Sequence, residues 1–201
     1  MKYFDFLNQI QRRLQAINQF DHDYLITDFL CPTKQQNALV VREAGEDAEL
    51  LVCIDEEILE RNSHLRLPHD FGLQNLPELS IVIEELSHFN TFCAGALMNR
   101  PLSQLELEIQ GEVDKFAVVL DWLYERNEAV MRDQIYDLMF GSCRLGAWVN
   151  HQERSRYEEA HEIAKNFVRS VLLKSKTHDD FRMSFRDFFL RTRSEKLKTT
   201  F

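Results

Sequence analysis

Hydrophobic residues recur at steps of four and three along the first helix-length stretch of the chain. These positions share one face of a helix, while Gln, Asn and Arg residues occupy the other side. They are Tyr3, Leu7, Ile10, Leu14 and Ile17. The pattern predicts an amphipathic helix over residues 2–19, which ends at the polar residues 21–23.

The spacing then changes to short runs rich in β-branched, aromatic and apolar residues, at 24–30, 37–42 and 49–54. Pro32 closes the first run, and residues 43–47 have the composition of a turn. Apolar runs bounded by turn residues are typical of β-strands. The sequence therefore predicts an antiparallel hairpin or a three-stranded sheet.

From residue 55 onward the hydrophobic spacing is helical, and several helix ends carry recognisable signals. Asp55 suits an N-cap, Pro77 suits a first turn, Ser103 and Glu106 have the spacing of a capping box, and Gly141 suits a C-terminal stop. Helices are predicted over residues 56–61, 77–99, from 103 onward, 127–141, 153–174 and 179–197.

Together these elements predict an α+β, mostly helical fold. It consists of an N-terminal helix, a small antiparallel hairpin or three-stranded sheet, and a core of four or five helices. With 201 residues, a single domain over 1–201 is expected, with helix and sheet in 1–61 and the helical core in 62–201. Six Gly and four Pro are too few for an all-β protein, and 44% hydrophobic residues exclude global disorder.

Charge is unevenly distributed along the chain, whose net charge is −9. Residues 165–201 contain ten Lys and Arg against four Asp and Glu, a net charge of +6. The remainder contains 14 against 29, a net charge of −15. An acidic protein is a poor partner for nucleic acid or an anionic membrane, so neither is expected.

The four cysteines, Cys31, Cys53, Cys93 and Cys143, include no CxxC pair, which excludes zinc-ribbon and thioredoxin-like motifs. Each lies among apolar residues, so we expect four reduced and mostly buried thiols. The sequence has no charge-free window of 18 residues and no apolar leader. We therefore expect no transmembrane helix, no signal peptide and a cytoplasmic location.

Glu and His stand three residues apart at two places in the helical part of the chain, where the two side chains of each pair share a helix face. Helical bundles hold two iron or manganese ions with such pairs and with carboxylates from neighbouring helices. The candidate metal ligands are Glu85, His88, Glu112, Glu158 and His161.

An alternative interpretation of these pairs is a set of ion pairs at helix edges, because Glu is frequent in this chain and the spacing also arises by chance. Another is a polar cluster across a helix pair, made of Glu84, Glu85, His88, Glu108, Glu112, Asp114 and Lys115. Ser87 precedes His88 directly. Adjacent residues on a helix point about 100° apart, so the two do not form a nucleophile–base pair. No catalytic residue is assigned.

The basic C-terminal segment combines cationic and aromatic residues. Phe181, Phe185 and Phe188 share one side of a helix, and we expect them to pack against the acidic remainder of the chain. The cationic side chains are candidates for binding an anion or an acidic partner. These are Arg182, Arg186, Arg191, Arg193 and Lys196.

The first functional hypothesis is a cytoplasmic, non-enzymatic adaptor or regulatory protein that acts through a protein partner or as a homodimer and needs no cofactor. It rests on the lack of a strong catalytic motif and on 15 Phe residues, some of which would serve an interface. The alternative is a metal-binding helical protein with iron or manganese. A third hypothesis is binding of an anionic ligand through the C-terminal helix.

Overall fold

The computed structural model describes residues 3–34, 37–44, 47–141 and 151–198. The elements in chain order are α1 (Phe4–Asn18), α2 (Ile26–Phe29), β1 (Leu30–Thr33), β2 (Ala38–Ala44), β3 (Asp47–Asp55), α3 (Glu56–Asn62), α4 (Leu76–Leu97), α5 (Gln104–Glu125), a 3₁₀ turn (Ala129–Met131), α6 (Arg132–Phe140), α7 (His151–Lys174), α8 (His178–Leu190) and α9 (Arg193–Leu197). The predicted α+β, mostly helical fold is confirmed.

The sheet formed by the described strands is mixed and has the order β1-β3-β2. β2 and β3 form the predicted antiparallel hairpin. β1 pairs with β3 in the parallel direction, which the sequence analysis did not anticipate. Pro32 lies within β1, where the edge position tolerates a residue that has no N–H to donate.

The strand predicted over residues 24–30 is wrong for most of its length, because residues 26–29 form a helical turn instead. Gln11 of α1 holds this backbone: its Nε2 donates to the Tyr24 carbonyl at 2.8 Å, and its Oε1 accepts from the Ile26 N–H at 3.0 Å. These tertiary hydrogen bonds override the β-propensity of the segment.

Several predicted helix ends are confirmed. Asp55 caps α3 by accepting from two backbone N–H groups, and Ser103 and Glu106 form a capping box at α5. The helix predicted from residue 127 begins only at Arg132, because Asn127 has a φ of 59° and a 3₁₀ turn follows it.

The predicted last helix is divided into α8 and α9. Arg191 is extended, and Thr192 starts a new capping box with Glu195. The Phe side of α8 is buried as predicted: Phe188 stacks on Phe167 of α7 at 4.0 Å between ring centroids, and Phe185 lies 6.5 Å from Phe116 of α5.

Helix α5 is central to the hydrophobic core and packs against α1, α4, α6, α7 and α8. It also carries a set of buried polar side chains. Asp114 accepts from Ser87 Oγ at 2.6 Å and from Gln110 Nε2 at 2.8 Å. Gln110 Oε1 accepts from Lys196 Nζ of α9 at 2.7 Å. This polar chain connects α4, α5 and α9 within the core.

The thiols of Cys31, Cys53 and Cys93 are free, as predicted. Cys93 is buried, but Cys31 and Cys53 are only half-buried, because both lie in the small sheet rather than between helices. Cys143 lies outside the described residues. None of the helices in the described ranges is long and apolar enough to cross a membrane.

Candidate metal centre between three helices

A cluster of buried and half-buried charged side chains lies where α5 packs against α4 on one side and α7 on the other. We call this cluster the polar centre. Its members are Glu84, Glu85, His88, Glu108, Glu112, Lys115, Arg156 and His161.

A glycine lets the α4 side chains reach α5. A Cβ atom at Gly111 would lie 3.0 Å from His88 Nε2 and 3.3 Å from Glu84 Cγ. Glycine inside a helix costs about 0.5–1 kcal/mol relative to alanine. The bare backbone at position 111 thus creates the space that His88 and Glu84 occupy.

In one half of the polar centre, the His88 ring lies beside two carboxylates without forming a hydrogen bond to either. His88 Nδ1 is 3.8 Å from Glu85 Oε2, and His88 Nε2 is 3.6 Å from Glu108 Oε2. Charge-assisted N–H···O bonds measure about 2.7–2.9 Å, so these atoms face one another across a gap. Ligand atoms of Glu84, His88 and Glu108 all lie within 4.8 Å of one another.

The other half of the polar centre is better paired, although His161 Nε2 has no hydrogen-bond partner within the described residues. Lys115 Nζ donates to Glu84 Oε2 at 2.8 Å and to Glu112 Oε1 at 2.6 Å. The second Glu112 oxygen lies 3.2 Å from His161 Nδ1. The ammonium group of Lys115 therefore bridges two carboxylates that belong to neighbouring helices.

The pKa values of the carboxyl groups also differ between the two halves of the polar centre. Burial raises the pKa of Glu85, and it raises that of Glu108 to about 7. Burial opposes the charge of His88, but the surrounding carboxylates raise its pKa to about 9. Burial also opposes the charge of Glu112, but Lys115 and His161 lower its pKa to about 2. Burial thus outweighs the nearby cations at Glu85 and Glu108, whereas Lys115 and His161 outweigh burial at Glu112.

A cavity of about 1140 Å³ opens beside the polar centre. Glu85, His88 and Glu108 line it on the helical side, β2 lines it on the sheet side, and Arg156 and Tyr157 of α7 complete the wall. The cavity gives small molecules and ions a route to the atoms around His88.

No relative identifies this arrangement: no protein-family model, no curated protein and no solved structure matches the chain. The function is therefore argued from the polar centre itself.

Four of the five metal ligands predicted from the sequence lie in the polar centre, namely Glu85, His88, Glu112 and His161. Glu158 does not, because it lies on the solvent side of α7, where its side chain is 54% exposed and pairs with Arg154 at 3.1 Å. Glu112, not Glu158, is the carboxylate beside His161.

The predicted ligand set lacked Glu84, Glu108 and Arg156. Two sequence signals point to the first two. Glu84 and His88 are four residues apart on α4, and Glu108 precedes the mid-helix glycine at position 111 by three residues. Arg156 Nε donates to Glu108 Oε1 at 3.3 Å. This contact depends on how α7 packs against α5, so the sequence alone does not indicate it.

The candidate anion-binding residues of the C-terminal segment have different surroundings. Arg182 bonds to Asp121 at 2.8 and 3.2 Å. The Arg191 guanidinium lies over the Phe188 ring at 5.6 Å, and Lys196 is buried against Gln110. Arg186 and Arg193 are exposed. The structure therefore does not bring these five cations to one surface.

Proposed function

We propose that the protein binds one divalent transition-metal ion in the polar centre, with His88, Glu108 and Glu84 as ligands. One observation carries the proposal. Among the described residues, four buried side-chain atoms of this cluster have no hydrogen-bond partner: Glu85 Oε2, His88 Nε2, Glu108 Oε2 and His161 Nε2. Buried polar atoms are almost always paired. Seven other unpaired atoms occur elsewhere in the described residues, but here His88 Nε2 and Glu108 Oε2, both unpaired, face each other at 3.6 Å, which supports a ligand between them.

The separation of these atoms suits a metal ion. Bonds from zinc and similar ions to His nitrogen or carboxylate oxygen are about 2.0–2.2 Å, so two ligands in a tetrahedral arrangement lie about 3.4 Å apart. His88 Nε2 and Glu108 Oε2 are 3.6 Å apart. Small side-chain adjustments would therefore place one ion between them.

The charge of the polar centre supports a divalent ion. Its four carboxylates face two permanent cations, Lys115 and Arg156. With the ligand His88 neutral, as metal ligation requires, the four carboxylates exceed these two cations by two charges. A mixed set of one imidazole and several carboxylates suits iron, manganese or zinc.

The same geometry favours one ion over two. The position between Glu84 and Glu112, where a second ion would bind, is filled by the Lys115 ammonium at 2.8 and 2.6 Å. The Lys115 charge compensates these carboxylates, and its pKa is raised despite burial because Glu112 and Glu84 flank it. We infer a mononuclear centre instead of the two-metal site favoured by the Glu-x-x-His pattern.

Calorimetric titration of chelator-treated full-length protein tests the proposal. Mn²⁺, Zn²⁺ and, under anaerobic conditions, Fe²⁺ are titrated separately, and metal content after gel filtration is measured by elemental analysis. We expect at least one of these ions to bind with one ion per chain. Glu108→Gln is expected to weaken binding at least tenfold.

Glu158→Gln is the matched control, because it makes the same chemical change at the exposed Glu of the second sequence pair. It should bind metal like the unmodified protein. Failure of all three ions to bind, or equal affinity of Glu108→Gln and Glu158→Gln, would overturn the proposal.

The adaptor hypothesis and the anion-binding hypothesis remain predictions. Large exposed apolar side chains occur on several elements, including Leu51 of β3, Val130 of the 3₁₀ turn and Leu173 of α7. They do not select one docking surface, so the polar centre is the better supported site.

A further inference from the structure

Two cysteines face each other in the sheet. β1 and β3 are parallel neighbours, and Cys31 is directly opposite Cys53 in their register. Neighbouring strands are about 4.7–4.9 Å apart, and residues directly opposite each other point to the same face. Disulfide-bonded cysteines have Cα–Cα separations of about 4.4–6.8 Å, so the backbone already has the required spacing.

The side chains of this pair are also close to each other. Cys31 is close enough to Cys53 to contribute, after burial, to raising the pKa of the Cys53 thiol. Cys31 and Cys53 are half-buried, whereas Cys93, which belongs to α4, is buried. A dissolved thiol reagent thus has access to the sheet pair that it lacks at Cys93.

We propose that Cys31 and Cys53 form a redox modification site, a dithiol that small-molecule disulfides of the glutathione type convert into a reversible β1–β3 disulfide. The exchange reaction does not depend on metal binding, since neither cysteine is one of the proposed ligands; Glu85 of the polar centre is near enough to Cys53 to influence its charge. The disulfide would add a covalent link between two parallel strands that are already paired in register.

The reaction proceeds in two exchange steps. Burial, with the neighbouring Cys31 and Glu85, raises the pKa of the Cys53 thiol, which disfavours a first attack by Cys53. The Cys31 thiolate displaces one glutathione thiolate, which takes up the proton that Cys31 released, and a mixed disulfide forms. The Cys53 thiolate then displaces the second glutathione. Two electrons pass from the cysteines to the small disulfide, which becomes two thiols.

The experiment uses the reduced full-length chain, equilibrated with defined ratios of reduced to oxidised glutathione and then quenched with N-ethylmaleimide. Peptide mapping by mass spectrometry measures the label at each cysteine. We expect oxidising ratios to abolish labelling at Cys31 and Cys53, to yield one cross-linked peptide that contains both, and to leave Cys93 labelled. Returning to reducing ratios should restore both labels.

Single variants distinguish the outcomes. Cys31→Ser should leave Cys53 without an intramolecular bridge, whereas Cys93→Ser should form the bridge like the unmodified chain. Continued labelling of both sheet cysteines, stable glutathione adducts without a bridge, or a bridge to Cys143 would each overturn the proposal.

Discussion

The missing side chain at Gly111 sets how closely α5 approaches His88. In an ordinary helix, replacing glycine with alanine stabilises the protein by about 0.5–1 kcal/mol, because alanine restricts the unfolded chain. Here the new methyl group would lie 3.0 Å from a ring nitrogen of a buried histidine. The sign of the effect therefore depends on His88.

We expect Gly111→Ala to lower the free energy of unfolding by about 1–3 kcal/mol, since the methyl group overpacks the α4–α5 interface. In a His88→Ala background the same change should become stabilising by about 0.5–1 kcal/mol. Urea unfolding of the four proteins of this cycle measures both effects. A destabilisation of equal size in both backgrounds would show that His88 is not the group in contact.

At this scale the sequence allows the polar centre to be predicted in part. The i, i+3 spacing correctly places Glu85 and His88 on one side of α4, but it fails for the second pair, because His161 lies on the inner side of α7 and Glu158 on the solvent side. It cannot distinguish Glu158 from Glu112 as the partner of His161, because that choice depends on the rotation of α7 about its own axis. Ala160 and Ala164 are fully buried on the inner side of α7.

At the scale of elements, α8 is attached to the core mainly by its aromatic side. Phe185 is buried between Phe116 and Phe167, with ring centroids 6.5 and 5.9 Å away. Met183 lies on the same helix with 54% of its surface exposed. Substitutions at these two positions therefore distinguish the loss of a buried side chain from a change in the helix itself.

Phe185→Ala should lower the free energy of unfolding by about 3–5 kcal/mol, because it removes a buried ring and leaves a cavity. Met183→Ala should change it by less than about 0.5 kcal/mol. Thermal and urea unfolding of both variants measures the difference. Similar, small effects at the two positions would mean that the Phe side of α8 is not part of the cooperative core.

The elements that hydrophobic spacing predicts correctly are the long ones, α1, α4, α5 and α7, since each buries a continuous apolar stripe. The errors lie where distant polar contacts act on short segments. Gln11 bends the segment before β1 into a helical turn. The break before α9 is different, because the spacing of Thr192 and Glu195 is a capping box that is visible in the sequence.

At the scale of the whole molecule, the fully buried Lys196 makes the stability of the fold depend on pH. Burial and the nearby Arg100 and Arg191 lower its pKa, while Asp114 and Glu106 act in the opposite direction, and the result is a pKa of about 8. An unfolded lysine titrates at about 10.4. Between these values the folded chain has lost the proton that the unfolded chain retains.

The contribution of Lys196 to the free energy of unfolding therefore rises with pH between about 8 and 10.5. Relative to Lys196→Met, the unmodified protein should gain up to about 3 kcal/mol across this window. Urea unfolding of both proteins at matched pH values gives the difference, in which titrations common to both cancel. If the difference in free energy of unfolding between the two proteins stayed constant between about pH 8 and 10.5, the lowered pKa of Lys196 would be contradicted.

Lys196 also has a consequence for the order in which the molecule is assembled. Its partner Gln110 precedes it by 86 residues in the chain. Ribosomes add about 5–20 residues per second, so Gln110 waits roughly 4–17 s before Lys196 has been synthesised. The polar chain that joins α4, α5 and α9 can therefore be completed only after α9 has been synthesised and has packed onto α5.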